Sequence, residues 1–244
     1  MTLESCSNTK FLTGDQLLYT GKKQVIITSG KFREPKARQI IESVTAFKPN
    51  NALAGKRLLP PGGLWIYNYH KPAKVNKSPG WFYKTFAKEP VLVSKVNPEM
   101  RCQKLASELF SVGFFHATVR ASIDTSSRNP RKARITYYIK PDQPFRYHEI
   151  SFAPPADAAD SIINSFQDDL NIKPNDVFDL ATIKSAAKKI ASQVTEEGYF
   201  YFNPTDVKWT ADTTPAPYQI DLRIGKTRNF HAMLTGNISL TILR

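Results

Sequence analysis

Few residues of this 244-residue chain are spaced for chemistry. The histidines show neither the HxxxH nor the HxxE spacing that would set two metal ligands on one helix face. The run IGKT, at 224–227, ends like a phosphate-binding loop, but Ile220 stands where that loop requires glycine. No serine, cysteine or threonine stands beside groups that activate a nucleophile. We therefore expect a protein that is not an enzyme, with no catalytic residue, metal site or cofactor.

The two cysteines differ in what they suggest. Cys6 and Cys102 are too few for a disulfide framework, and they form no CxxC metal pattern. Cys102 falls in a predicted helix, where we expect a buried thiol. Cys6 lies in LESCSNTK, which is similar to the processing box of a bacterial lipoprotein, although Glu4 is atypical and no signal-peptide regions precede it. Lipidation of Cys6 and an incidental cysteine both stay open.

Net charge favours an anionic partner without naming it. Lys and Arg outnumber Asp and Glu by 34 to 21, which gives a formal charge of +13. Nucleic acid, an acidic protein and anionic lipid all fit this charge, and so does a merely solvated basic surface. No apolar stretch reaches the roughly 18 residues that a membrane-spanning helix needs.

One corner of the chain occurs twice. The segment KLASELFSVGFF, at 104–115, aligns without a gap on KIASQVTEEGYF, at 189–200, and Gly113 and Gly198 are 85 residues apart (198 − 113). In each copy an amphipathic helix ends at glycine, which enters the left-handed conformation at little cost, and aromatic residues suited to a strand follow. Since solenoid repeats are shorter, we infer two tandem domains.

Each copy has the pattern strand, helix, helix, strand, strand. We therefore predict an α+β fold of tandem β-α-α-β-β domains, each a three-stranded sheet covered on one face by two helices. The second helix of the second copy is predicted to be N-capped by Asp179. Its predicted inward-facing residues are Ile183, Ala186, Ala187, Ile190 and Val194. The predicted divisions are a tether at 1–16, a first domain at 17–142 with an insertion at 48–93, a second domain at 143–226, and the start of a following domain or barrel linker at 227–244.

The insertion combines aromatic rings with lysines. Its rings, as in WIYNYHK and GWFYKTFAK, are able to stack on bases, to lie at a lipid interface, or to pack the insertion onto its own domain. The candidate residues for partner or membrane contact are Trp65, Tyr67, Tyr69 and Trp81.

A three-stranded sheet also has outer strands with unpaired backbone groups, which can accept an extended peptide as an added strand. The strands after each second helix, at 117–123 and 207–211, are the candidates. The predicted edge-binding residues are Val119, Ala121, Val207 and Trp209, although the sequence does not show which edge is free.

The order and spacing of these parts resemble the polypeptide-transport-associated (POTRA) domains of BamA- and TamA-type outer-membrane assembly proteins. The early cysteine, LLYTGKKQVI, LWIYNY, KEPVLV, TYYIKPDQPFRYHEISF and EEGYFYF are together similar to the TamL-like lipoprotein branch. The resemblance covers nearly the whole chain, and the order of the motifs is more specific than any single motif.

The resemblance implies periplasmic domains ahead of an outer-membrane β-barrel that helps to insert outer-membrane proteins, with the lipid attached at Cys6. The implied location is the bacterial outer membrane, with the domains facing the periplasm. The implied partners are unfolded outer-membrane protein clients, a periplasmic TamB-like protein, and outer-membrane lipid reached through the anchor and the barrel, with no nucleic acid. We expect this fragment to bind clients rather than insert them. The alternative is a basic nucleic-acid-binding protein that uses Trp65, Tyr67 and Trp81.

Overall fold

A computed structural model describes residues 8–28, 32–50, 52–53, 56–57, 61–70, 80–227 and 240–243. The chain divides into two compact units. The first unit draws its residues from Met1–Ser107 and Ala117–Pro141, and the second from Glu108–His116 and Asp142–Arg244.

Each unit contains strands and helices in the predicted order. From residue 18 to 140 the elements are β1 (Leu18–Ile27), α1 (Pro35–Thr45), β2 (Ala52–Leu53), β3 (Lys56–Arg57), α2 (Gly62–His70), α3 (Trp81–Phe86), α4 (Val93–Val96), α5 (Pro98–Ser111), β4 (Thr118–Ser126) and β5 (Asn129–Lys140). From residue 146 onward they are β6 (Arg146–Phe152), α6 (Ala158–Asn164), a 3₁₀ turn (Ser165–Asp168), α7 (Leu180–Glu196), a 3₁₀ turn (Pro204–Asp206), β7 (Val207–Asp212), β8 (Gln219–Lys226) and β9 (Leu240–Leu243).

The two sheets share one topology. The first has the order β1-β5-β4, in which β1 is parallel and β4 antiparallel to the central β5. The second repeats this order as β6-β8-β7 and adds β9 beside β7, in parallel. The fold is therefore α+β, built from two β-α-α-β-β units, as predicted, and a fourth strand extends the second sheet.

Both helix-to-strand corners have the same backbone geometry. Gly113 has a φ of 91° and Gly198 a φ of 99°, in the left-handed region where side chains are disfavoured. The residue after each glycine donates its N–H back to the helix, to the carbonyl of Leu109 over 3.0 Å and of Val194 over 3.2 Å. This bond pattern is the Schellman motif. The sequence repeat is thus also a repeat of hydrogen bonding. The aromatic residues after each glycine, which were predicted to begin a strand, lie instead in turns, since β4 begins at Thr118 and β7 at Val207.

The helix α7 shows how the second unit forms its core. Its N-cap is Asp179, as predicted, whose carboxylate accepts the N–H of Ala181 over 3.0 Å. All five predicted inward-facing residues are buried, and they join one cluster with the strands of the sheet. The apolar stripe of α7 therefore determines which face of the second sheet is covered.

The insertion is ordered around its own helices. Helix α2 is anchored by Leu64, which is 1% exposed and clusters with Leu12 and Leu18. Helix α3 lies against α2 through the stacked rings of Tyr67 and Tyr83, whose centroids are 6.3 Å apart. Since α3 contains no buried residue, it covers α2 while keeping its other side in solvent.

Candidate functional site

Strand β4 forms a regular outer edge of the first sheet. Within the described residues it pairs only with β5, and the register continues without a break from Thr118 to Thr125. An outer strand of this kind presents unpaired N–H and C=O groups to which an extended chain can add. Val119 and Ala121 lie in this strand, and their role in binding stays a prediction.

The opposite edge of the same sheet, at β1, is irregular. The pairing of β1 with β5 shifts register between Tyr19 and Lys22 and again between Lys22 and Gln24. The start of β1 is also covered, because Leu18 forms an antiparallel bridge with Leu92. Bulges and lysines are features that protect an edge against strand addition. The two edges of this sheet are therefore unequal, and β4 is the better acceptor.

A cavity of about 1000 Å³ opens beside β4, toward the start of α5. Its β4 wall includes Val119, Ala121 and Ile123, which alternate along the strand and so point to one face of the sheet. Ile123 is 47% exposed, although it pairs with the wholly buried Ile135. The groove thus joins an open backbone edge to a row of apolar side chains, and Asp15, Glu99 and Arg120 also contribute to its lining.

The opposite wall of the groove is fixed by one asparagine. Asn97 ends α4. Its φ of 48° lies in the left-handed region, which asparagine tolerates well. Its Oδ1 accepts the N–H of Met100 over 3.2 Å, and Pro98 opens α5 with its preset φ. A single residue therefore ends one helix and caps the next, so that α5 starts at a defined place beside β4.

Cys102 is a buried free thiol on the α5 wall, as predicted. Burial, and secondarily the charge of Glu99, raises the pKa of this thiol. Cys102 is therefore protonated at neutral pH and contributes a small apolar surface rather than a nucleophile.

The edge of β7 differs from that of β4, which corrects the prediction of an outer strand there. The backbone of β7 pairs with β8 on one side and with β9 on the other, from Trp209↔Leu240 to Asp212↔Leu243. The side chains of Val207 and Trp209 are both wholly buried in the core. The reason for the difference is that a later segment of the same chain supplies the added strand.

The predicted contact residues of the insertion fall into two groups. Trp81 is 75% exposed, Tyr69 82% and Trp65 43%, and the indole N–H of Trp65 donates to the side-chain Oδ1 of Asn8 over 2.5 Å. Tyr67, in contrast, stacks on Tyr83 and packs against the Leu64 cluster. Tyr67 therefore holds the insertion together, and only the other three present an open surface.

The sequence prediction missed two further exposed rings beside Trp81. Phe82 is 52% and Phe86 45% exposed, and their ring centroids lie 5.0 Å apart. Trp81 packs edge-on against Phe86 at 6.2 Å. The signal in the sequence was the run WFYKTF itself, whose rings are too close together for one helical stripe to bury them all.

Three further predictions concern the lipid site at Cys6, metal binding and membrane-spanning helices. Cys6 lies outside the described residues. Among the residues that the structure describes, no group of His, Cys, Asp or Glu is placed to hold a metal ion. None of the described helices combines the length and the apolarity needed to cross a membrane.

Comparison with known proteins gives structural neighbours only. No family model and no curated protein matches the chain. The neighbours found include POTRA domains 3–5 of Haemophilus influenzae BamA, with 14% identity over 58% of this chain and 51% of that one, at a TM-score of 0.33. BamA of Haemophilus ducreyi lacking POTRA domains 1–3 has 17% identity over 59% of this chain and 25% of that one, at a TM-score of 0.38.

A third neighbour is POTRA1-3 of the periplasmic domain of Omp85 from Anabaena. It has 13% identity over 90% of this chain and 99% of that one, at a TM-score of 0.28. The chain thus spans about half of the first neighbour and a quarter of the second. All three TM-scores lie below 0.5, so the fold assignment rests on the strand order and the internal repeat of the chain itself.

Proposed function

We propose that the chain is the periplasmic POTRA-domain region of an outer-membrane β-barrel assembly or translocation protein, and that it binds client polypeptides as an added strand at β4. The observation that carries this proposal is the regular, open edge of β4 beside a groove of about 1000 Å³. The tandem β-α-α-β-β order supports the family, and the added strand at β7 supports the mode of binding.

The groove selects the kind of strand that adds. Val119, Ala121 and Ile123 project from β4 at every second residue, so an added strand places its own alternate side chains over the same apolar row. Its remaining side chains face the opposite side of the sheet. Strands of outer-membrane barrels alternate apolar and polar residues in this way. The proposed client is therefore an unfolded outer-membrane protein with such strands exposed.

The test measures binding of a labelled barrel-strand peptide to the 244-residue chain by fluorescence anisotropy. Ile123→Lys places a charge in the groove and is expected to weaken binding by at least about tenfold, or roughly 1.4 kcal/mol. Val119→Trp fills the groove with an indole and is expected to have a similar effect. Both changes alter side chains in the groove and leave the backbone of β4 intact. They therefore measure the contribution of the groove to binding separately from that of backbone pairing at the edge.

The matched control is Tyr138→Lys. Tyr138 is 42% exposed, close to the 47% of Ile123, but it lies on β5 in the alternate register and so on the other face of the sheet. Peptide affinity should be unchanged in this variant. Equal affinity in Ile123→Lys, Val119→Trp and the unmodified chain would rule out the β4 groove as the client site.

The proposed location and partners have a separate test. Lipid attachment at Cys6 would anchor the domains at the outer membrane and bring them near a periplasmic TamB-like partner. The mass and the membrane recovery of the protein expressed from its full natural gene are to be compared with those of a Cys6→Ala version. An acylated mass and outer-membrane recovery that depend on Cys6 are expected, whereas an unmodified cysteine would remove the lipoprotein branch.

A further inference from the structure

Helix α3 presents Trp81, Phe82 and Phe86, which contact one another and which we call the aromatic surface. These three side chains are between 45% and 75% exposed. Three large rings are rarely left in water on one short helix unless another surface covers them.

The aromatic surface is held in place by the chain beneath it. The N–H of Lys88 donates to the carbonyl of Gly63 over 2.9 Å, which fixes the end of α3 against the start of α2. A Cβ on Gly63 would lie 2.9 Å from the Phe86 carbonyl oxygen, so glycine permits this close approach. The Tyr67–Tyr83 stack fixes the middle of α3. The rings are therefore presented on a defined support rather than on a loose loop.

The sequence around the aromatic surface is predominantly basic. Between Ser43 and Glu89 it has eight lysines and arginines and one acidic residue, Glu89. Lys84 and Lys88 are exposed and lie on or next to α3. Aromatic rings bordered by lysines suit the headgroup region of an anionic bilayer, where the rings enter the acyl boundary and the ammonium groups meet lipid phosphates.

The arrangement of the rings favours lipid over nucleic acid. Base stacking requires ring faces that are free, but Trp81 and Phe86 pack edge-to-face with planes at 89°, and Tyr67 and Tyr83 cover each other. Phe82 and Phe86 also lack hydrogen-bonding groups, so they suit a hydrocarbon environment. We propose that the aromatic surface docks the first unit on an anionic lipid surface, independently of client binding at β4.

The test is co-sedimentation of the 244-residue chain with vesicles of phosphatidylcholine, with and without phosphatidylglycerol. Binding is expected only to the anionic vesicles, and it should weaken as salt is added. The tryptophan emission should shift to the blue on binding, and this shift should be smaller in a variant that lacks Trp81. Trp81→Ala combined with Phe82→Ala and Phe86→Ala should reduce the bound fraction at least tenfold, without change in the urea midpoint, since α3 has no buried residue.

Two further variants keep the test decisive. Lys84→Glu with Lys88→Glu retains every ring and should reduce binding to anionic vesicles to a similar extent. Phe200→Ala with Tyr201→Ala is the matched control, because these rings are 78% and 85% exposed but follow Glu196 and Glu197. The control should bind vesicles as the unmodified chain does.

Three results would overturn the proposal. The first is no sedimentation with anionic vesicles, and the second is full binding by the triple variant. The third is a chain that shifts a labelled single-stranded oligonucleotide while failing to sediment, which would assign the surface to nucleic acid. Peptide affinity at β4 should be unchanged in the triple variant, so failure here is distinguishable from failure of the proposed function.

Discussion

The outer strands β4 and β7 occupy the same place in the two units, yet among the described residues the edge of β4 is open and that of β7 is paired. Val119 pairs with Ile139, and Trp209 pairs with Ile224, 85 residues further along the chain (224 − 139). Val119 and Trp209 are therefore equivalent positions. Where the first unit has a small side chain beside a groove, the second has a wholly buried indole and a paired edge.

The fold therefore supplies an outer strand in both units. Whether that strand can accept another depends on its own side chains and on whether a later segment, such as β9, pairs with it. The strand order and the helix-to-strand corner are the same in both units. A valine at the equivalent of Trp209 leaves room for a partner's side chains, whereas an indole uses that room for the core of its own unit. Duplication of a domain thus need not duplicate an open sheet edge.

The largest effect is expected from the equivalent pair itself. Trp209→Ala removes a fully buried indole and should cost the second unit about 3–5 kcal/mol of unfolding free energy. Val119→Ala removes two methyl groups from a half-buried position and should cost about 1 kcal/mol. Urea denaturation of both variants provides the comparison. Similar losses of unfolding free energy would mean that Val119 and Trp209 contribute equally to packing, and would contradict the difference in their burial.

The second effect concerns the two corner glycines. Gly198→Ala meets no atom within 4 Å, so it should cost about 1 kcal/mol for the left-handed backbone alone. A Cβ on Gly113 would lie 3.1 Å from the Phe178 carbonyl oxygen and 3.2 Å from that of Phe145. Gly113→Ala should therefore cost about 2–4 kcal/mol. Urea midpoints give both values, and equal losses would contradict the crowding at Gly113.

The third effect is expected from removal of β9, which would leave the outer edge of β7 as open as that of β4. A chain that ends at Thr227 lacks β9 and frees the outer edge of β7. We expect a loss of about 1–2 kcal/mol, because each lost backbone bond contributes about 1 kcal/mol net, while release of the four-residue strand regains backbone entropy that partly offsets this loss. The stoichiometry of peptide binding should rise from one to two, although the buried Trp209 should keep the new site weaker. Unchanged stoichiometry in calorimetric titration would show that an open edge without a groove does not bind.

The smallest effect comes from one carboxylate in each unit. The hydrogen bond from Lys226, and then that from the N–H of Asp160, lowers the pKa of Asp157, which caps α6. A lowered pKa contributes stability above the ordinary value near 3.8, and this stability is lost as pH falls through the folded-state pKa. Asp157→Asn should thus cost less than about 1 kcal/mol at neutral pH, since the side chain is 53% exposed, and nothing in strong acid.

Asp124 of the first unit is the counterpart for this test. The hydroxyl of Thr136, and then Lys23, lowers its pKa, so its contribution has the same sign and the same direction with pH. Asp157, however, forms an ion pair with Lys226 and so links α6 to the end of β8. Asp124 instead contacts Thr136 and Lys23 on neighbouring strands of its own sheet. Urea denaturation of Asp157→Asn and Asp124→Asn across acid and neutral pH checks both assignments. A cost for Asp157→Asn that persists in strong acid would contradict the assignment of its pKa.

The elements that the sequence predicted are those determined by local patterns. The Gly113 and Gly198 corners, the Asp179 cap and the apolar stripe of α7 each depend on residues a few positions apart, so a single stretch contains the whole signal. The order of strands and helices along the chain followed because two copies had to satisfy the same pattern, whereas the order of strands within each sheet was not predicted. Local agreement of this kind made the α+β fold predictable.

The candidate site was less predictable because it depends on pairing over long distances. The fixed 85-residue offset maps Val119 onto Pro204, but the 3₁₀ turn at Pro204–Asp206 moves the true equivalent to Trp209. The pairing of β9 with β7 has no local signal, since a short apolar strand fits any edge. The groove beside β4 also required the position of α5, which Asn97 determines.

The short connection to β9 has a consequence for competition. Strand β8 ends at Lys226 and β9 begins at Leu240, so thirteen residues tether β9 to the edge that it covers. A tether of this length holds its end at an effective concentration on the order of millimolar. A free strand of equal intrinsic affinity present at micromolar concentration would displace β9 from only about one molecule in a thousand. The tethered strand therefore acts as a built-in competitor at the edge of β7, so that an added strand would meet less competition at the edge of β4.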